Sequence, residues 1–165
     1  MEIIAVINQK GGVGKTTIAT NVAYSLARRK RKTLLIDLDP QAHSTLLFMK
    51  NPPSHYVQDC LLGTCSIINA ISRASDAGCL IIENLDILPS SIKLAVVAEQ
   101  LSGRVHREKI LLRLVAKLFR YNPPFDFDYI IIDCPPTLGA LALNGICASG
   151  KYIIPIEVHI SNISK

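Results

Sequence analysis

The 165-residue sequence has no apolar run near the roughly 18 residues a membrane-crossing helix needs, so no transmembrane segment is expected in it. It shows no basic leader with an apolar centre and a small-residue cleavage site, and so does not read as a secretory signal. Internal repeats, low-complexity tracts and interdomain linkers are missing too, which leaves a single domain over residues 1–165 as the expected organisation. Paired metal-ligand spacing is lacking. The five cysteines, Cys60, Cys65, Cys79, Cys134 and Cys147, are odd in number, and His43, His55, His106 and His159 complete no set with them. The expected state is reduced, mostly buried thiols in a cytoplasmic protein. What is present is 49% hydrophobic residues and a mean hydropathy of +0.31, the balance of a compact α/β protein.

The net charge of +5 is partly local, because Arg28, Arg29, Lys30, Arg31 and Lys32 follow one another at the end of a helix-like stretch. Cations at a helix C-terminus are electrostatically favoured and remain solvated. The same run can also attract nucleic acid or anionic lipid. The sequence leaves both readings open.

Residues 10 to 17 read KGGVGKTT, directly behind the apolar run Ile3, Ile4, Ala5, Val6, Ile7 and directly ahead of a helical pattern. A strand that feeds a glycine turn opening a helix makes an anion cradle, with converging N–H groups and the helix dipole aimed at the ligand. Gly11, Gly12 and Gly14 allow positive φ and close backbone approach. Lys15 is placed to reach β/γ-phosphate oxygens, and the Thr16 hydroxyl to ligate Mg²⁺. The general phosphate-loop pattern has glycine six residues before the lysine, where Gln9 stands here; instead Lys10 adds a second cation.

Nucleoside triphosphate chemistry also needs a metal and a positioned water. Asp133 closes the apolar strand Tyr129, Ile130, Ile131, Ile132, the setting of a carboxylate that holds Mg²⁺ through a water. Asp37 and Asp39 follow another apolar strand and, two residues apart in extended chain, face the same way. If that strand lies beside the first, both carboxylates meet the phosphates, with Asp39 orienting the attacking water and Asp37 supporting the metal.

Strands are expected at 3–7, 33–36, 79–82, 85–88, 129–132 and 152–158. Helices are expected at 16–29, 45–48, 92–101, 105–119 and 138–148, with one or two short ones within 54–76. Strand and helix alternate, which implies a mostly parallel, doubly wound sheet with helices on both faces. Ligands in such sheets bind at the carboxyl ends of the strands, where all three motifs fall.

KGGVGKTT, LLIDLDPQ at 34–41 and IIIDCPPTLG at 130–139 together resemble the deviant-Walker ATPases that partition plasmids and chromosomes, the ParA/Soj proteins, relatives of the MinD cell-division-site ATPases. LDILPSSIKLA at 85–95 and YIIPIEV at 152–158 extend the resemblance over nearly the whole chain. It implies a three-layer P-loop NTPase fold that binds and slowly hydrolyses ATP with Mg²⁺. Lys10, Gly11, Gly12, Val13, Gly14, Lys15, Thr16 and Thr17 would hold the nucleotide; Thr16, Asp37 and Asp133 would serve the metal. Lys10, Lys15 and Asp39 would be catalytic, with Lys10 reaching across a nucleotide-sandwich homodimer to the partner's nucleotide, as arginine fingers do elsewhere. The implied partners are a ParB-like adaptor and DNA bound without sequence preference, at the nucleoid in the cytoplasm.

Proteins of this kind continue past the point matching Lys165 with more strands and helices, so a C-terminally truncated product is expected. Three alternatives share the loop: a MinD-like ATPase at the membrane, an inactive nucleotide-binding remnant, and a reductase resembling the nitrogenase iron protein. The last requires cysteines bridging a cluster across a dimer.

Overall fold

The computed structural model describes residues 1–75, 80–118 and 126–157. They form one six-stranded sheet: β1 (Glu2–Val6), β2 (Thr33–Asp37), β3 (Ser72–Ser75), β4 (Ile81–Leu88), β5 (Tyr129–Asp133) and β6 (Lys151–Ile153). Their spatial order is β3-β4-β2-β5-β1-β6. The central strands pair in parallel, and β3 runs antiparallel to β4 at one edge.

Successive side chains on a strand point to opposite faces, and here both faces are covered. Leu34, Ile36, Ile130 and Ile132 pack with α3 (Val57–Leu62), α4 (Ile67–Ala70), α5 (Leu94–Ser102), α6 (Ile110–Leu118) and α7 (Ala140–Ala148). Leu35 and Ile131 face the other way, onto Ala19, Ala23 and Ala27 of α1 (Lys15–Arg28) and Phe48 of α2 (His43–Phe48). Burial on both sides explains why β2 and β5 read as unbroken apolar runs rather than alternating ones.

The doubly wound, mostly parallel architecture is the expected one. Five details differ. β2 does not neighbour β1; β5 lies between them. The two strands expected at 79–82 and 85–88 form the single strand β4, although Cys79 lies outside the described residues. Within 54–76 the chain forms α3 and α4 and then an edge strand, β3. The last strand is short, and the described chain from Ile154 to Glu157 is not a strand; Val158 lies outside the described residues. Buried Asn144 joins two helices, accepting from the N–H of Leu111 and donating to the carbonyls of Arg107 and Ala140. The helix expected at 105–119 thus begins as a 3₁₀ turn, Arg107–Lys109.

Candidate nucleotide-phosphate site

The turn after β1 places Lys10 to Gly14 at the carboxyl edge of the sheet, and Lys15, Thr16 and Thr17 form the first turn of α1. Gly12 and Gly14 have φ of +78° and +86°, a region where a Cβ is strained. A Cβ built on Gly11, Gly12 or Gly14 would meet no protein atom within 4 Å, so the glycines are required for curvature and for approach to a guest rather than for tight internal packing. Lys15 is buried at 7% exposure, and its ammonium donates to the carbonyl of Lys10 at 2.8 Å. This closes the turn on itself and aims a cation along its inner side. The Lys10 ammonium reaches instead to Glu157 and is about half exposed.

Asp37 and Asp133 end neighbouring parallel strands in direct register, so two carboxyls lie side by side, both with 0% exposure. Such a pair is costly without compensation. Asp37 is compensated by protein: its Oδ2 accepts the Thr45 hydroxyl at 2.7 Å and the Thr45 N–H at 2.9 Å, and its Oδ1 accepts the Asp39 N–H at 3.0 Å. Burial still dominates and, with the neighbouring Asp133 charge, pushes its carboxyl up to about 7.

Asp133 is compensated less fully. Its Oδ2 accepts the Ser44 hydroxyl at 2.7 Å, while its Oδ1 is buried without a hydrogen-bond partner among the described residues. Burial raises this carboxyl, the Ser44 and Thr16 hydroxyls pull it down, Asp39 raises it, and Lys15 lowers it. Those influences place Asp133 within electrostatic reach of Thr16, Lys15 and Asp39. An orphaned carboxylate oxygen beside a hydroxyl at the mouth of a phosphate-type turn is a hard oxygen donor set of the kind Mg²⁺ takes, together with phosphates and waters. No trio of His, Cys, Asp and Glu side chains among the described residues forms a ready-made cage. Next to Asp133, burial pushes the Cys134 thiol up to about 12, which keeps it protonated and unreactive at neutral pH.

Asp39 is buried at 9% exposure, its Oδ1 accepting from the Gln41 N–H at 2.9 Å. The expected residues thus converge, except that the Lys10 ammonium stands apart on Glu157. The condition stated for Asp37 and Asp39, a second strand beside the first, does not hold. The carboxylates meet the phosphate turn because β5 brings Asp133 between them and β1.

Sequence reasoning passed over Ser44, Thr45 and Ser90. Two of these hydroxyls engage the paired carboxyls directly, and Ser90 donates to the Asp39 carbonyl at 2.6 Å. The signal available was a pair of hydroxyl residues, Ser44 and Thr45, just past LDPQ.

A family model described as an AAA domain matches residues 1–163. The chain is 38% identical over 158 residues to the sporulation initiation inhibitor protein Soj of Bacillus subtilis, covering 94% of this chain and 58% of that protein. It is 38% identical over 152 residues to the chromosome-partitioning ATPase Soj of Treponema pallidum, covering 92% of this chain and 55% of that one. Its structure superimposes with a TM-score of 0.83 on cobyrinic acid a,c-diamide synthase from Mycobacterium smegmatis, solved with a bound ATP analogue and magnesium. The two are 39% identical, over 94% of this chain and 60% of the other. The chain therefore spans little more than half the length of these relatives.

Proposed function

We propose, from the premise that this chain belongs to that AAA domain family of P-loop ATPases, that it is the nucleotide-binding and hydrolysing part of a ParA/Soj-type partitioning switch. The single observation that carries the chemistry is the in-register pair Asp37 and Asp133 set against Lys15, with one oxygen of Asp133 left for a cation. The similarity to a chromosome-partitioning ATPase supports the biological role.

In this reading the N–H groups of residues 11–17 and the Lys15 ammonium bind the phosphate oxygens of ATP. Thr16 and Asp133 would hold Mg²⁺ beside Lys15, and the bound ion would supply neutralisation of the charge developing on those oxygens. Asp37 supports it from the adjacent strand and locks the loop through Thr45. Asp39 orients the water that attacks the terminal phosphate. Lys10, half exposed at the rim, reaches the nucleotide of a second copy in a sandwich dimer, so that hydrolysis waits on dimerisation. A ParB-like adaptor would stimulate hydrolysis, and the ATP-bound dimer would hold DNA through backbone phosphates at the nucleoid. No helix among the described residues is long and apolar enough to cross a membrane.

The test is phosphate release from Mg·ATP, with calorimetric binding of a non-hydrolysable analogue in parallel. Wild type should bind and release phosphate slowly. Lys15→Ala should lose binding, and Asp39→Ala should bind but not hydrolyse. Equal binding heats for wild type and Lys15→Ala would end the assignment. Retention on DNA that needs ATP rather than ADP, and that falls with salt, tests the partitioning role. Hydrolysis without that retention would leave the ATPase standing and remove partitioning.

A further inference from the structure

We propose that Ser90 is a positioning residue for the hydrolytic loop, tying the end of β4 to both Asp39 and Asp37; the inference rests on the role proposed above for Asp39. Ser90 follows β4 and is 1% exposed. Its hydroxyl donates to the main-chain carbonyl of Asp39 at 2.6 Å. Its N–H donates to Thr45 Oγ1 at 2.8 Å, and that same hydroxyl donates to Asp37 Oδ2 at 2.7 Å. One residue outside the loop thus holds one aspartate by its backbone and orients the partner of the other.

Three further bonds of this loop, Asp39 N–H to Asp37, Gln41 N–H to the Asp39 carboxylate and Ala42 N–H to the Asp39 carbonyl, lie within residues 37–42 and fix its shape. Its place is set from outside: the Leu38 N–H donates to the Asp133 carbonyl at 2.9 Å, the Ser44 hydroxyl donates to Asp133, and Ser90 holds Asp39 itself. Because Ser90 makes no bond to the residues of the phosphate turn in this network, its removal should move the water-orienting carboxylate and leave nucleotide affinity alone. The Asp39 carbonyl keeps the Ala42 N–H in Ser90→Ala, so no buried acceptor is orphaned and folding should survive.

The experiment uses the whole chain in two arms. Without nucleotide, Ser90→Ala should speed amide hydrogen exchange at Asp39, Gln41 and Ala42 about five- to tenfold, the loss of one buried hydrogen bond, leaving the amides of β1 and β5 within about twofold. With Mg·ATP, kcat should fall about tenfold at unchanged KM and unchanged affinity for a non-hydrolysable analogue, the pattern of lost transition-state positioning. Ser90→Thr, which keeps the hydroxyl, should restore both. Thr45→Val should loosen the Asp37 side while sparing the Ser90–Asp39 bond. Exchange in Ser90→Ala that is unchanged, or faster everywhere alike, overturns the inference, as does Ser90→Thr behaving like Ser90→Ala. A wild type that never hydrolyses ATP, yet whose loop loosens in Ser90→Ala, removes the role given to Asp39 and supports the tie itself.

Discussion

The two ends of the sheet carry charge in opposite ways. At the carboxyl end, Asp37, Asp133, Asp39 and Lys15 are all buried and crowded together. At the amino end, Arg28 to Lys32 stand exposed one after another; the Lys32 backbone caps β5 by accepting from the N–H groups of Asp128 and Tyr129 and donating to the Asp128 carboxylate. Solvated charges cost little and contribute little. Buried like charges oppose folding and persist where something other than stability keeps them. The contrast therefore sets a buried, crowded carboxyl end, of the kind found at functional sites, against a solvated amino end.

The largest effect that can break this contrast comes from Lys15→Ala. It removes the buried cation from the carboxylate cluster, and nucleotide binding and phosphate release should fall about 100-fold or more, the scale for a lost charge-stabilising donor. Calorimetry and a phosphate-release assay check it. Retained turnover would mean that the crowded end is not the working end.

Next in size is the stability effect of the paired carboxyls, whose sign follows from linkage. The Asp37 carboxyl lies near 7 in the folded chain against 3.8 in its ordinary state, so the folded state binds the proton more tightly. Stability is then greatest below about pH 4 as far as this group is concerned. It is lost as pH rises from there to about 7, by on the order of 4 kcal/mol at 1.36 kcal/mol per pH unit. Urea melts in EDTA should show that decline for wild type and a flatter profile for Asp37→Asn. Adding Mg²⁺ should oppose the decline, since a bound divalent cation favours the charged carboxylates. A pH-independent difference between the two proteins would show that Asp37 is not the titrating member.

How much of this was readable in advance follows the range of the interactions involved. The strand–turn–helix of residues 3 to 29 is local, and so are the aspartates at the ends of apolar runs; both were visible in sequence. The insertion of β5 between β1 and β2 is a non-local pairing that no local pattern encodes, and it decides how Asp133 meets the phosphate turn. β3 falls in a stretch that reads as short helices with loops, because Ser72–Ser75 is SRAS, without strand-forming residues; it exists by pairing with β4. Alanines 19, 23 and 27 are fully packed where Ile18, Val22 and Leu26 are only partly so, since close helix-to-sheet approach favours small side chains. Ser90 and Thr45 were silent because a hydroxyl's role comes from the neighbour it meets in space.

A smaller effect sharpens the comparison at the crowded end. A Cβ on Gly145 of α7 would lie 2.5 Å from Cys134 Sγ, with Ile132 Cγ2 and Leu38 Cδ1 at 3.5 Å. Glycine to alanine in a helix ordinarily gains about 1 kcal/mol, whereas overpacking a filled core loses about 1–3 kcal/mol. Overpacking should win, because the clashing sulfur sits on a short buried side chain next to Asp133. A denaturant midpoint lowered in Gly145→Ala, with weaker Mg·ATP binding, is the expected pair of results.

The smallest effect belongs to the amino end. Replacing Arg28 and Arg31 with Gln should change stability by no more than about 0.5 kcal/mol, because neither side chain is buried and no ion pair links them to a carboxylate among the described residues. The same double variant has a second readout. If the run serves only as a solvated helix end, the salt dependence of ATP-dependent DNA retention stays as in wild type. If it contacts backbone phosphates, the slope of log affinity against log salt drops by about one for each cation removed. A stability loss of several kcal/mol would contradict both outcomes, because it would mean that these cations are held by the fold, and the two ends would no longer differ in kind.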